Sequence, residues 1–393
     1  MTARSDTLSA TLGPAEASAP APGTTRHDRR TGDVPLPEPI AFEAPFPNRK
    51  TIRSWLIPLG RRSTPRALFL FAFDYALFAA VLASVVLASA WWAKLGLGVL
   101  AGLIIARLFI IGHDACHQSL TDHRRLNKWL GRLTFLPSLT PYSLWEVGHN
   151  VVHHGYTNLK GFDFVWAPYS LEEFRALPRR RRVMERIYRN GFGAGLYYLI
   201  EIWWFKLFFP SKRQMATRRA IFLWDCALVA AFGALWIGAL AWLAVATGQS
   251  ALLMIGAGFV VPFLVWNATV GFVLYVHHTH TSVAWYDTKA MWSKAQPFVS
   301  TTVHLRFGMG IGGALHHIME HTAHHVDMGV PLYQLKRAQA VLEHALPGRI
   351  IIEKFSWRWY FQTARRCKLY DFKALCWTDF RGRQTSENSP VPV

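Results

Sequence analysis

The stretch "ALFLFAFDYALFAAVLASVVLASAWWAKLGLGVLAGLIIARLFIIG", residues 67–112, decides the fold class of this chain. It contains two apolar runs, 67–90 and 95–112, which are separated only by "WWAK". A helix rises about 1.5 Å per residue, so each run is long enough to cross a hydrocarbon layer of about 30 Å. The short gap between the runs predicts a tight hairpin of two transmembrane helices.

A second pair of apolar runs lies further along the chain, at about 220–246 and 251–276, with "TGQS" between them. Hydrophobic residues make up 51% of the 393 residues and charged residues only 17%, whereas soluble domains have about 25% charged residues. We therefore predict an all-α integral membrane protein with four transmembrane helices arranged as two hairpins. The apolar stretch 192–209 contains Glu201, Lys206 and a Trp pair, and we expect it to form an interfacial helix.

The remaining segments define the predicted domain boundaries. Residues 1–47 are rich in Ala, Pro and Thr and are predicted to be a disordered tail, without the apolar core of a signal peptide. The membrane domain is expected over 48–380, entered through the amphiphilic segment 49–66, and 381–393 are expected to be a C-terminal tail. The four cysteines show no paired spacing and are expected to be reduced.

Positive charge predicts the orientation of the protein in the membrane. All Lys and Arg residues except Lys94 and Arg107 fall in 1–66, 113–219 and 277–393, which four spans would place on one side. The positive-inside rule makes that side cytoplasmic, most simply at a bacterial inner membrane, with both termini and the histidine clusters there. The net charge of +19 is then explained by topology and by attraction to lipid headgroups. We predict no nucleic-acid binding, which would need a basic groove with interleaved aromatic residues.

Most of the 17 histidines fall in four clusters: "GHDACHQ" (112–118), "GHNVVHHGYTN" (148–158), "VHHTH" (276–280) and "HHIMEHTAHH" (316–325). Imidazoles at i and i+4 share a helical face and can aim at one point, whereas adjacent pairs point apart and suit two centres. Imidazole binds zinc, copper, iron and nickel, and a zinc site needs only three or four ligands. The clusters therefore predict a cytoplasmic histidine-rich cap that holds two metal ions. The isolated His27, His123 and His344 are expected to be solvated side chains.

These boxes resemble those of the membrane-bound fatty acid desaturases, particularly the acyl-lipid Δ12/ω3-like branch. The resemblance covers about residues 50–380 and is carried by "RLFIIGHDACHQSL", "HNVVHHGYTN" and "HTAHHVDMGVPLYQLKRA". The segment "VHHTHTSVAWYD" is similar to the family's region after the fourth span, which contains "QHTH". One departure is the HxxxHH spacing of the second box, where the close branch usually has HxxHH.

The resemblance implies two iron ions (Fe2+/Fe3+) with O2 as co-substrate. The implied ligands are His113, His117, His149, His153, His154, His278, His321, His324 and His325. His280 and His277, which replaces the family's Gln, are alternatives to His278 as the ninth ligand, and His316 is expected beside the ligands. Asp114, Asp163 and Glu320 are candidates to orient imidazole N–H groups, the alternative being surface or capping acids.

The implied activity is O2-dependent insertion of a double bond into a long acyl chain, carried on a lipid, on CoA or on a carrier protein. The sequence has no "HPGG" haem signature, flavin fingerprint or cysteine cluster, so we expect an external electron donor of the ferredoxin or cytochrome b5 type. The alternatives are a di-iron hydroxylase or carotenoid ketolase on the same scaffold, and a non-catalytic membrane metal- or haem-binding protein.

Overall fold

The computed structural model describes residues 34–208, 219–308 and 310–389, and this part of the chain is mostly helical. Its α-helices, numbered in chain order, are α1 (Arg49–Leu56), α2 (Thr64–Leu87), α3 (Trp91–Cys116), α4 (Arg124–Phe135), α5 (Tyr142–Glu146), α6 (Leu171–Ala176), α7 (Arg179–Tyr188), α8 (Ala194–Tyr197), α9 (Ala220–Ala246), α10 (Ala251–Ile255), α11 (Val261–His278), α12 (Lys289–Ala295), α13 (Ile311–Ala314), α14 (His321–Val326), α15 (Leu335–Ala345) and α16 (Trp357–Arg366).

Shorter elements complete the fold. Three π-helices, named here π1 to π3, span Val147–His153, Tyr198–Phe208 and Gly256–Val260, and two 3-10 turns span Ile57–Gly60 and Leu332–Gln334. The strands are β1 (Val303–Arg306), β2 (Ile351–Lys354), β3 (Leu369–Asp371) and β4 (Cys376–Thr378). β1 pairs with β2 in parallel, Val303 opposite Ile351, and β3 pairs with β4 antiparallel, Leu369 opposite Thr378.

Four helices of the described residues are long and apolar enough to cross a membrane, as the sequence predicted. They are α2, α3, α9 and the continuous helix of α10, π3 and α11, which covers Ala251–His278. The second helix covers Trp91–Cys116 and not the predicted 95–112. The residues "WWAK", predicted as the gap, form its first turn, and residues 88–90 connect the two helices. At the other end, His113 lies on the last turn of the helix and His117 directly follows it. The stretch expected at the interface forms α8 and π2 and is not among these four.

Close backbone contact makes α3 the central span. Gly98 and Gly102 lie one turn apart on the face of α3 that contacts the last span. A Cβ on Gly102 would lie 2.6 Å from the Cβ of Val265, and one on Gly98 would lie 2.3 Å from the carbonyl oxygen of Ala257. The small residues therefore let the two helices approach more closely than larger side chains would allow.

The two hairpins meet at the end of α2. Lys94 Nζ donates to the Val85 carbonyl at 2.5 Å, and Gln249 Nε2 donates to the Val86 carbonyl at 3.0 Å. The last carbonyls of a helix have no partner within the helix, so these two side chains satisfy groups that would otherwise be unpaired at the end of a span.

The terminal segments predicted as tails lie partly outside the described residues, which exclude 1–33 and 390–393. Within 34–47, the Ile40 amide donates to the Ala345 carbonyl at 2.9 Å, and Arg349 donates to the carbonyls of Ala41 and Phe42. The Ser389 amide donates to the Leu375 carbonyl at 2.8 Å. These bonds hold 34–47 against α15 and 389 against the β3–β4 hairpin. All four cysteines are free thiols, as predicted.

Candidate metal centre

The fold brings the nine histidines predicted as metal ligands into one cluster. Two lie at the end of α3, three on and just after π1, one at the end of α11 and three on α14. All of them are buried except His117, which is half-buried. Side chains that are far apart in sequence therefore meet where α3 and α11 end.

Five of these imidazoles form a first group: His113, His117, His149, His154 and His324. Each offers one nitrogen, and these atoms all lie within 4.8 Å of one another. The Nε2 atoms of His113 and His149 are 2.8 Å apart, and those of His154 and His324 are 3.0 Å apart. The nitrogens of the first group thus converge on one small volume.

The other four form a second group: His153, His278, His321 and His325, whose nitrogens also lie within 4.8 Å of one another. The Nε2 atoms of His278 and His321 are 3.1 Å apart. The two groups are adjacent, since the ring centroids of His154 and His325 are only 4.2 Å apart. The arrangement therefore offers two neighbouring positions for metal ions.

Helix geometry decides which histidine joins which group. The adjacent pairs His153–His154 and His324–His325 are each divided between the groups, as adjacent side chains on a helix point apart. His149 and His153 are also divided, although their i, i+4 spacing would align them on an α-helix. The cause is π1, in which the His154 amide bonds to the His149 carbonyl at 2.9 Å, so that residues i and i+5 align instead.

The chemistry of this donor set fits metal ions. Burial, together with neighbouring histidines, lowers the pKa of His149, His154, His321 and His324 well below the usual value, so these imidazoles are neutral, which is the form that binds metals. A neutral imidazole has only one N–H, so five convergent nitrogens cannot all satisfy one another by hydrogen bonding. The Nδ1 atoms of His113, His117, His154 and His324 are buried without a partner among the described residues. Cations placed among the nitrogens would account for their convergence.

Three imidazoles of the second group are oriented by a hydrogen bond at Nδ1. His153 Nδ1 lies 3.1 Å from Asp163 Oδ1, His278 Nδ1 lies 3.2 Å from the Thr301 carbonyl oxygen, and His325 Nδ1 lies 3.3 Å from Thr157 Oγ1. Asp163 is itself fixed by the amides of Asn158 and Val165. These bonds fix the rings so that each Nε2 faces the group, as partners of metal-binding histidines do.

The other two candidate carboxylates make different contacts. Asp114 accepts from the Leu332 amide at 2.8 Å and so links α3 to the segment that precedes α15. Glu320 lies 3.1 Å from His317 Nδ1. Of the three acids that the sequence singled out, Asp163 is the one that contacts a candidate ligand among the described residues.

The remaining cluster histidines lie outside both groups. His277 stacks on His321 with ring centroids 3.7 Å apart, and neither of its nitrogens has a partner among the described residues. His280 Nε2 pairs with Glu353 at 3.1 Å. Of the isolated histidines, His27 lies outside the described residues, and His123 is exposed while His344 is half-buried.

Sequence reasoning missed a polar network that crosses two spans. Asp74 on α2 accepts from Arg107 Nη2 of α3 at 2.7 Å, and His316 Nε2 lies 2.6 Å from its other oxygen. Arg107 also donates to the Ala314 carbonyl. The signal was present in the sequence, because one acid and one base interrupt two apolar runs and intramembrane ionisable residues seek partners.

An apolar cavity of about 40 Å³ adjoins both groups. Its walls are aliphatic and aromatic side chains, including Phe109, Ile110, Val270, Val273 and Leu274, and its polar lining includes His113, His149, His277 and His321. The arrangement places convergent imidazoles next to a space that suits hydrocarbon.

Comparison with known proteins gives a consistent result. The family model for fatty acid desaturase matches residues 89–356. The chain is 27% identical to the sn-1 oleoyl-lipid 12-desaturase of Picosynechococcus sp., over 72% of this chain and 78% of that protein. It is 28% identical to the protein of the same name from Synechocystis sp., over 69% and 74% of the two chains. It is 26% identical to the sn-1 acyl-lipid omega-3 desaturase (ferredoxin) of Synechocystis sp., over 79% and 84%. With four apolar helices, two histidine groups and a family match over most of its length, the chain belongs to the fatty acid desaturase family.

Proposed function

We propose that this protein inserts a double bond into the long acyl chain of a lipid, in an O2-dependent reaction at two iron ions. The family makes it a membrane oxidoreductase, and its relatives support fatty acid desaturation. The observation that carries the mechanistic part is the pair of buried histidine groups, five and four imidazoles, beside an apolar cavity.

The nine histidines of the two groups would hold the irons. Bound iron with O2 supplies the power to oxidise an unactivated pair of methylenes, a reaction beyond amino-acid side chains alone. In the overall balance, two hydrogens from the acyl chain, two external electrons and two protons reduce one O2 to two waters. Zinc would fill an imidazole site but has no redox chemistry, which favours iron here.

The protein's own residues shape and dry the site. The bonds from Asp163, the Thr301 carbonyl and Thr157 keep three imidazoles in fixed orientations. The cavity walls exclude water and hold the acyl chain next to the two groups, so that the same carbons are presented in each turnover.

Lipid is the proposed carrier of the acyl chain, because two of the relatives are named oleoyl-lipid desaturases and a third an acyl-lipid desaturase. Acyl-CoA and acyl carrier protein are the alternatives. The distribution of Lys and Arg supports placing the histidine groups on the cytoplasmic side, at the inner membrane of a bacterium.

The proposed electron donor is a separate protein of the ferredoxin type, because one relative carries ferredoxin in its name. A cytochrome b5 is the alternative. The net charge of +19 would attract an acidic donor to the cytoplasmic face and speed its association at low ionic strength.

The test is expression in a cell with a simple lipid profile, followed by fatty-acid analysis with localisation of double bonds. A desaturase product is lighter by two hydrogens, whereas a hydroxylase or ketolase product has gained oxygen. Two irons per purified chain support the proposal, and one haem with a Soret band would instead indicate a haem-binding protein.

A matched pair of variants tests the site itself. His324→Ala should lose iron and activity while the protein still inserts into the membrane. His123→Ala, at an exposed position before α4, should keep both. Full turnover and full iron content in the His324→Ala variant would contradict the assignment of the nine ligands.

A further inference from the structure

Helix α14 carries three of the nine candidate ligands, although it is only six residues long. His324 belongs to the first group, whereas His321 and His325 belong to the second. A helix this short has little stability of its own, because most of its backbone groups have no partner inside the helix. Other parts of the chain must therefore hold α14 if its imidazoles are to keep fixed positions.

The first turn of α14 is capped by a side chain from another helix. Glu320, the N-cap residue, makes no capping hydrogen bond with its side chain in the described part of the chain. The Ala323 amide, which such a bond would normally satisfy, instead donates to Oε1 of the buried Gln339 on α15 at 3.0 Å. Gln339 therefore performs for α14 the task of an N-cap residue.

The orientation of the Gln339 side chain is fixed at its other end. Its Nε2 donates to Glu343 Oε1 at 3.3 Å, and the Glu343 carboxylate also accepts from Arg306 and lies beside His304 Nδ1. A backbone amide can only donate and a carboxylate can only accept, so a single orientation of the Gln339 amide satisfies both neighbours. Glu343 thus keeps the Gln339 oxygen directed towards α14.

The last turn of α14 is held from α1. Arg49 Nη2 donates to the His325 carbonyl at 3.1 Å, and the last carbonyls of a helix have no partner within the helix. Arg53, one turn further along α1, pairs at 3.1 Å with Asp327, which directly follows α14. Apolar residues of α1, α14 and α15 pack in one hydrophobic cluster, so these contacts join elements that already touch.

We propose that Gln339 and Arg49 are positioning residues of the candidate metal centre, which fix the two ends of α14 and thereby complete the second histidine group. The two groups depend on α14 to different degrees. Without α14 the first group keeps four imidazoles, enough for a metal site, whereas the second keeps only His153 and His278. Loosening α14 should therefore weaken the second metal position much more than the first. This inference rests on the proposed function only for the assignment of the nine histidines as ligands.

The test titrates the purified, metal-free, full-length protein with Co(II) in competition with a chelator, because the visible absorption of Co(II) reports its ligands. The parent should bind two ions. Gln339→Leu and Arg49→Gln should each bind one ion with the affinity of the parent and the other about 10–100-fold more weakly, the effect of losing a group that orients ligands. Arg49→Lys keeps a donor and should bind both ions as the parent does. Lys50→Gln, at the exposed position next to Arg49, is the matched control and should leave both affinities unchanged.

The outcomes separate positioning of α14 from general damage to the fold. Unchanged affinities in Gln339→Leu and Arg49→Gln would overturn the proposal, and so would an equal loss at both metal positions, which would indicate destabilisation of the whole protein. A loss in Arg49→Lys as large as in Arg49→Gln would overturn the role given to the Arg49 hydrogen bond. Because turnover is not measured, a parent that binds two ions but forms no double bond would contradict the proposed function and leave this inference standing, whereas a parent that binds no metal would contradict both.

Discussion

The network of Asp74, Arg107 and His316 should contribute strongly to stability, and Asp74→Asn is the change that tests it. The Asp74 side chain is fully buried. Its Oδ1 accepts from Nε and Nη2 of Arg107 at 3.1 and 2.7 Å, and its Oδ2 lies 2.6 Å from His316 Nε2. Removing one partner from a buried ion pair costs about 3–5 kcal/mol. The Arg107 side chain is 19% exposed and would regain some solvation. We therefore expect Asp74→Asn to lower the free energy of unfolding by about 3 kcal/mol, the lower end of that range.

The assay is thermal unfolding of the purified protein in a mild detergent, with three variants compared against the parent. Asp74→Asn should lower the midpoint clearly, and Asp74→Leu combined with Arg107→Leu should lower it less, because no unpaired charge then remains in the span. Asp122→Asn, at an exposed loop position, is the control and should stay within about 0.5 kcal/mol of the parent. A double variant that loses as much stability as Asp74→Asn, or more, would refute the reasoning, because an unpaired charge would then not be the cause of the loss.

Three further predictions concern the histidine groups and the spans. Asp163→Asn should weaken iron binding by about 10–100-fold, measured by chelator competition, because the contact that orients the His153 ring is weakened. An unchanged affinity for iron would show that the Asp163 contact does not matter. Metal-free protein should lose thermal stability as pH falls from about 7 to 5, and a flat profile would contradict this. Only the unfolded chain gains protons in this range, because burial lowers the pKa of six candidate ligands in the folded protein: His117, His149, His154, His321, His324 and His325. Gly102→Ala should lower the free energy of unfolding by about 1–3 kcal/mol in the same assay, because the added Cβ would contact Val265. Gly96→Ala is the control and should be neutral, because its Cβ would have no neighbour within 4 Å. Equal effects of the two substitutions would argue against close packing of α3.

The spans were predictable because length and hydrophobicity are local properties. The run predicted at 220–246 coincides with α9, and the run predicted from 251 begins with α10. The continuation of α3 to Cys116 was not predictable from hydropathy, because its last turn carries polar histidines that are buried only by the rest of the fold.

The gathering of the candidate ligands around two centres was also expected, and so was the division of adjacent histidines between them, but not the separation of His149 from His153. Spacing rules assume an α-helix, and they fail at His149 and His153 because these residues lie in a π-helix. The choice among His277, His278 and His280 depends on where the last span ends. α11 ends at His278, whose ring joins the second group, while His280 lies beyond the helix and pairs with Glu353.

The network at Asp74 depends on a contact between residues 242 positions apart in the sequence. Apolar runs show that Asp74 and Arg107 need partners inside the membrane, but they cannot identify His316. Its role becomes visible only when the segment before α14 is folded against the first hairpin.

The division of adjacent histidines between the two groups has a consequence for biogenesis. A nascent chain that has emerged as far as His154 already carries four of the five side chains of the first group but only one of the four of the second. Neither set is complete until α14 has been synthesised and has folded back against both hairpins. Metal loading would therefore be one of the last steps of maturation, and a fully loaded protein would be one whose two halves have already joined.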